Sequence, residues 1–563
     1  MSSPLIVLGL DAADPALLET WIDAGHLPNL EAIINRGAYG RLETFDWYRA
    51  ELPWTTFLTG AAPEETGYWA PIKYSPLDSK CRHIYAFDYD KFPPFYARSP
   101  KNKRMAIFDM PQAPIADIDG VQVLAWGTHS GQTASISKPR ELYQELVDKH
   151  GPHPLLNDDE ASIYRADKML DLFERMKIGI ERRADICIDL LQREKWDFFL
   201  TIFGEVHVAG HYFWHLGCDH PLAETMREKV GGRDLLLESF QLVDAAVGRI
   251  REAAPDDAVF STFAAHGMGS NVMDLPSLVF LPELLYRWNF PDRQGIRGNP
   301  SETAPVEPML DPEVMAKDGW AQGLWRTIDE HNSLRNTAKK YLSRHQFRKA
   351  ERLLPGRKQT ALESPFVLAE AGVEEALAPP TWYRKQWKNM KAFALPSFSE
   401  GYVRINVKGR DAHGVVEYED YDKVCKEIEG LLMELKDART GKPLVSKLIR
   451  TRQTLEDETA TSPDADIVVV WQEEVPTDVA NTGGFGRIGP LPFIRTGSHR
   501  AQGYFSAEGP EIQAGTKLAE GHALDLGATY LDLMGGNGAE MNGRNLLDNE
   551  GPDVPRVKEV VNG

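Results

Sequence analysis

The chain has 563 residues, 42% of them hydrophobic and 26% charged, with a formal net charge of −20. That balance suits a soluble globular protein, and it argues against nonspecific binding to nucleic acid or to an anionic membrane, since both select basic surfaces. An acidic protein that takes an anionic substrate needs local positive charge, and a metal ion is one source of it.

The N-terminal residues lead directly into LIVLGL (5–10). No basic segment followed by a long apolar one precedes it, so the start does not read as a signal peptide, and cytoplasm is the expected compartment. No apolar run approaches the ~18 residues that span a bilayer. LIVLGL is short, β-branched and apolar, and it ends at Asp11. This predicts a central parallel strand with a carboxylate at its C-terminal tip. Asp11 could be a ligand there or could cap the helix that follows. The next segment, 14–37, has helical apolar spacing, with Asp14-Pro15 as its start and Gly37 as its stop.

Two more buried-strand runs follow, DFFLTIFG (197–204) and AVFSTFAA (258–265), each preceded by a helical pattern. Strands alternating with helices predict a doubly wound, mostly parallel α/β sheet, with functional residues at the carboxyl ends of the strands. His207 and His211 lie just past the first run and His266 just past the second. On a helix, residues four apart share one face, so His207 and His211 would make a two-imidazole start for a metal site. The side-chain direction of Glu205 is left open by strand alternation.

Residues 281–395 differ in character. Pro/Gly-rich linkers alternate with basic helical stretches, which predicts a mostly helical insertion or cap between core segments 1–280 and 396–563. The basic run at 335–358 reads as a solvated cap face rather than an anion site. Aromatic stretches around Trp214, Trp382 and Trp387 read more readily as packing than as pocket lining. From GYVRINVKGRD (401–411) the α/β pattern resumes, with a strand at DIVVVW (466–471) and a late helix in ALDLGATYLDLMG (523–535). His499 stands in a glycine-flanked loop, GSHRAQG, where backbone can bring an imidazole to a site. Arg500 beside it is an anion contact or a salt-bridge partner. His215, His220 and His522 read as packing or surface histidines. The four cysteines, Cys81, Cys187, Cys218 and Cys425, are far apart with no CxxC spacing, so neither a disulfide framework nor a zinc ribbon is indicated.

Taken in order, VLGLDAADPALLETWIDAGHLPNL, LPWTTFLTGAAPEETG, FGEVHVAGHYFWH, FAAHGMG, INVKGRDAHGVV, TGSHRAQGYFSAEGPEI and LDLGATYLDLMG resemble the alkaline phosphatase superfamily. They are most similar to its type I phosphodiesterase/nucleotide pyrophosphatase branch. The resemblance implies an alkaline-phosphatase-type α/β core with a helical insertion. It also implies two metal ions, usually zinc. One ion takes a D-x-x-x-H pair and a distant His. The other takes the first-strand Asp, the Asp-His of a DHG motif, and a Thr or Ser nucleophile.

Carried over residue by residue, Asp11 matches the first-strand Asp, His211 the His of D-x-x-x-H, His266 the His of DHG, and His499 the distant His. Three positions depart. His207 stands where the D-x-x-x-H Asp would be, Ala265 where the DHG Asp would be, and Ala50 at the nucleophile, counting back from Gly60. Thr55 and Thr56 fall deeper in the following helix and are expected to be structural. One metal position thus loses two donors. The other becomes His207, His211 and His499, a complete shell for one divalent ion with an open position. Zinc is the first expectation, with iron or copper as alternatives. Asp11 and His266 are expected beside that ion, as base and orienter or as a further ligand.

The function expected from this pattern is a metal-dependent enzyme acting on a small, anionic phospho- or sulfo-ester, with attack by water in place of a covalent intermediate. The alternatives are non-hydrolytic iron or copper chemistry on the same scaffold, since fold does not fix chemistry, and a ligand-binding pseudoenzyme.

Overall fold

The computed structural model describes residues 3–45, 47, 52–84, 91–127, 133–356 and 361–548. Its centre is a ten-stranded sheet. The strands that bear on the site are β1 (Leu5–Leu10), β2 (Ala38–Glu43), β3 (Arg104–Phe108), β4 (Asp119–Leu124), β5 (Ile136–Lys138), β6 (Phe198–Phe203) and β7 (Val259–Ala264). The strands β8 (Gly267–Ser270) and β9 (Gly497–Arg500), which pair antiparallel with each other, follow, then β10 (Gln502–Glu508). The order across the main sheet is β2-β10-β7-β1-β6-β3-β4-β5, with the short strands 516–517 and 521–522 against β2.

β1 pairs in parallel with both β6 and β7, and β3 pairs in parallel with β6 and β4. Every residue of β1 and of β6 is buried. This is why β1 reads as a continuous apolar run and β6 as one broken only by Thr201: helices cover both faces of a parallel sheet, so no face needs polar residues. The edge strand β5 and the strand β10 run antiparallel to their neighbours. The fold is a mostly parallel α/β sheet of the expected class.

The segment after β1 is two helices, not the single helix its spacing predicts: α1 (Pro15–Asp23) and α2 (Pro28–Arg36). Pro28 is the cause. It disfavours helical backbone at Leu27, whose φ is −126°, and it then serves as the first residue of the next helix. Three further helices matter here: α3 (Ala166–Arg193), α4 (Glu205–Gly217) and α5 (Leu235–Ala253). α3 and α4 both pack on α5.

Between Pro312 and Glu370 the chain forms short helices. Residues 392–471 then build a second, antiparallel sheet in the order 392–395, 401–405, 467–471, 445–450. The chain rejoins the main sheet only at β10. Among the described residues, no helix is long and apolar enough to cross a membrane.

Candidate metal centre

Five side chains converge at the carboxyl edge of β1, β6 and β7. Asp11 follows β1 directly and is fully buried. It does not cap α1. That role falls to Asp14, whose carboxylate accepts from the Leu17 amide at 3.0 Å. His207 and His211 lie in the first turns of α4, which begins two residues after β6 ends, and their ring centroids are 4.4 Å apart. His266 follows β7. His499 sits on β9, directly opposite Met268 of β8. Its ring centroid is 5.0 Å from both His207 and His211 and 4.8 Å from His266.

The ligand-type atoms fall into two triplets, each spanning no more than 4.8 Å: His207, His211 and His499, and Asp11, His207 and His266. His207 belongs to both. Its Nδ1 lies 3.3 Å from Asp11 Oδ2, and His266 Nε2 lies 3.8 Å from Asp11 Oδ1.

The strand β9 and the helix α4 meet because glycine allows it. A Cβ on Gly497 would lie 2.1 Å from the carbonyl oxygen of Gly210. With no side chain there, the Gly497 carbonyl accepts from His211 Nδ1 at 2.8 Å, and the Thr496 amide donates to the His211 carbonyl, also at 2.8 Å. A histidine whose Nδ1–H is given to a carbonyl keeps its lone pair on Nε2, the usual arrangement of a ligating imidazole.

His207 and His499 are held neutral. Burial, reinforced by the Arg495 guanidinium, pushes His207 down to about 3. Burial, the neighbouring imidazoles and Arg495 push His499 well below the ordinary histidine value. Neutral, buried nitrogen donors in a tight triplet suit a divalent transition-metal ion, so this donor set fits the ion that the resemblance implies.

Arg495 had no mark in the sequence. It precedes His499 by four residues, and its Nη1 donates to His211 Nε2 at 2.9 Å. Its Nε and Nη2 grip Asp274 at 2.7 and 3.1 Å, and Nη2 also donates to the Phe398 carbonyl at 3.3 Å. Burial disfavours the charge, but Asp274 outweighs it, so the group stays cationic. No local pattern separates Arg495 from a surface arginine, because its partner is 221 residues away.

The other arginine, Arg500, donates to the Ser270 and His499 carbonyls and lies 3.5 Å from Glu473, so it braces the β8–β9 strand pair. Glu205 turns away from the five residues. Its carboxylate accepts from His153 Nε2 at 2.9 Å and from Arg183 Nε at 3.0 Å, while Arg183 Nη2 reaches Asp109 at 2.7 Å. Burial alone would raise the Glu205 pKa, but Arg183 and His153 bring it down to about 2.

The remaining sequence candidates have structural settings. Thr55 Oγ1 donates to Gln112, and Thr56 Oγ1 donates to backbone carbonyls of its own helix. Ala265 is packed in an apolar cluster with Phe263 and Trp54. Ala50 lies outside the described residues. His215 meets Thr496 Oγ1 at 3.0 Å, His220 packs edge-on against Phe493, and His522 caps the helix 523–533. Trp382 is buried, and Trp387 stacks on Phe393 at 4.7 Å. Arg335 and Lys339 are buried and pair with Glu330, not solvated as expected, and Arg344 and Arg348 pair with Glu370.

A family model for type I phosphodiesterases/nucleotide pyrophosphatases matches residues 5–338, more than half of the chain. The chain belongs to that family. The matched span carries Asp11, His207, His211 and His266 of this phosphodiesterase-family chain and ends before Arg495 and His499. No curated protein sequence matches it. Among solved structures, it is similar to phosphonoacetate hydrolase from Sinorhizobium meliloti 1021 in complex with phosphonoformate, at 12% identity and TM-score 0.43, covering 95% of this chain and 96% of that one. It is likewise similar to murine ectonucleotide pyrophosphatase/phosphodiesterase 5, at 11% identity and TM-score 0.46, covering 96% and 97%. The inactive form of that murine protein in complex with AMP matches at 11% identity and TM-score 0.47, covering 97% and 99%.

Proposed function

We propose that this member of the phosphodiesterase family is a metal-dependent hydrolase that works from one divalent ion, zinc first, held by His207, His211 and His499. Its substrate class is a small, anionic phospho- or sulfo-ester. The observation that carries the reading is that one ligand-type nitrogen from each of three buried imidazoles lies within 4.8 Å of the others, with the lone pair of His211 fixed on Nε2 by the Gly497 carbonyl. When bound, the ion would supply Lewis acidity at an oxygen of the substrate.

The chain's own residues supply the rest. Asp11, 3.3 Å from His207 Nδ1, holds that ring so that Nε2 is its ligating nitrogen. His266, 3.8 Å from the other Asp11 oxygen, is the group placed to take a proton from the attacking water, with Asp11 steadying the imidazolium that forms. Burial of all five side chains excludes bulk water from these transfers. Ala50 at the nucleophile position leaves water as the attacking group rather than a side-chain hydroxyl.

The test is turnover of bis-p-nitrophenyl phosphate, p-nitrophenyl phosphate and p-nitrophenyl sulfate by protein of known metal content, before and after chelation. Stoichiometric zinc with chelator-sensitive ester hydrolysis is expected. Stoichiometric iron or copper with no hydrolysis of any of the three would replace this reading with redox or lyase chemistry. Metal-free protein with no turnover would make the chain a pseudoenzyme.

A further inference from the structure

A divalent ion and Arg495 compete for one electron pair. His211 gives its Nδ1 proton to the Gly497 carbonyl, so Nε2 holds the ring's only lone pair in the plane. Arg495 Nη1 donates to that same nitrogen at 2.9 Å. An sp² nitrogen lone pair serves one partner, so ligation through His211 Nε2 must release the Nη1 proton.

The released donor cannot go far. Asp274 grips Nε and Nη2, and Asp274 is itself fixed by Asn271 Nδ2 at 2.7 Å. The guanidinium also lies over the Phe398 ring, 5.7 Å from its centroid. Its edge remains turned toward the imidazole cluster. The Arg495 side chain is only 15% exposed, and a cationic donor so placed is costly to leave without an acceptor. An oxyanion coordinated at the ion's open position is the acceptor that the geometry offers. Guanidinium is also the side chain whose planar fork best matches such oxygens.

We propose that Arg495 is the substrate-anion anchor of this site, its Nη1 passing from His211 to a tetrahedral oxyanion of the substrate as the imidazoles take up their ion. This rests on the three-histidine reading above and extends it by naming a specificity-determining residue. It also accounts for positive charge beside the site in a protein of net charge −20.

The test is calorimetric. The unaltered chain, Arg495→Met and Arg495→Lys are titrated with zinc, and the zinc-loaded proteins are then titrated with orthophosphate. Arg495→Met is expected to bind zinc several-fold more tightly, because the competitor is gone. It should bind phosphate at least ~10-fold more weakly, the scale of one charged hydrogen bond. Arg495→Lys should recover part of the phosphate affinity. Asp274→Asn, which loosens the guanidinium without removing it, should give a smaller loss. Zinc-loaded Arg495→Met that binds phosphate as well as the unaltered chain overturns the inference and leaves the metal reading standing. Absence of zinc binding in all four proteins overturns the metal reading and the inference with it.

Discussion

His211 Nδ1 lies 2.8 Å from the carbonyl oxygen of Gly497, and this contact, beside the Thr496 amide donating to the His211 carbonyl, joins the helix that carries two imidazoles to the strand that carries the third. The joint depends on the absence of side chains. Gly497→Ala would drive a Cβ into backbone at 2.1 Å, which can be relieved only by moving α4 or β9. We expect a loss of at least the ~1–3 kcal/mol typical of overpacking, seen in urea denaturation, together with reduced zinc content. Gly210→Ala meets the flexible side chain of Met268 at 2.9 Å instead, and should be much milder in both measurements.

In the proposed function, Asp11 acts through His207. Asp11→Asn keeps the shape but removes the charge beside Nδ1, 3.3 Å away. Loss of such a supporting carboxylate commonly weakens metal binding by ~10–100-fold. Competition with a chromophoric chelator measures this directly, and an unchanged affinity would mean that Asp11 does not orient the ring.

The ion cluster under α4 is a stability element. Arg183 is fully buried, and so is Glu205; Arg183→Met leaves the carboxylates of Glu205 and Asp109 without their cation. Breaking one side of a buried pair costs ~3–5 kcal/mol. Chemical denaturation should show that loss, and the double variant Arg183→Met/Glu205→Gln should recover part of it.

Acid should weaken the fold through His220. Burial holds this ring at about 3 in the folded chain, against an ordinary value of 6.5. The unfolded chain therefore binds the extra proton first. The contribution is complete above about pH 6.5 and is lost as pH falls toward 3, with a slope of up to ~1.4 kcal/mol per pH unit. His220 Nδ1 accepts from the Leu222 amide, a bond that asparagine can imitate. His220→Asn should flatten the loss of stability between pH 6.5 and 5, measured by urea midpoints at each pH. An equal slope in both proteins would assign the acid sensitivity to other groups.

Much of the site was legible before the fold. β1, β6 and β7 announce themselves as mostly apolar runs because both faces are covered, so Asp11 and His266 could be placed at strand tips from the sequence pattern. The i, i+4 spacing of His207 and His211 needed only the helix. His499 was marked by its glycine-flanked segment, and its role as the third ligand came through resemblance, since its place depends on pairing with β8 across more than two hundred residues. Arg495 was not legible, because what marks it is Asp274, remote in sequence and near only after folding. The direction of Glu205 was open for the same reason, with Arg183 supplied by a different helix. The break between α1 and α2 had a local signal in Pro28, and helical periodicity on both sides of it masked that signal.

The central claim is that the three imidazoles hold the ion. Elemental analysis of purified chain beside His207→Ala tests it most directly, with folding checked by circular dichroism. We expect one divalent ion per chain in the unaltered protein and its loss in the folded variant. Full metal content in His207→Ala, or no metal in the unaltered chain after loading with zinc, iron or copper, would contradict the account.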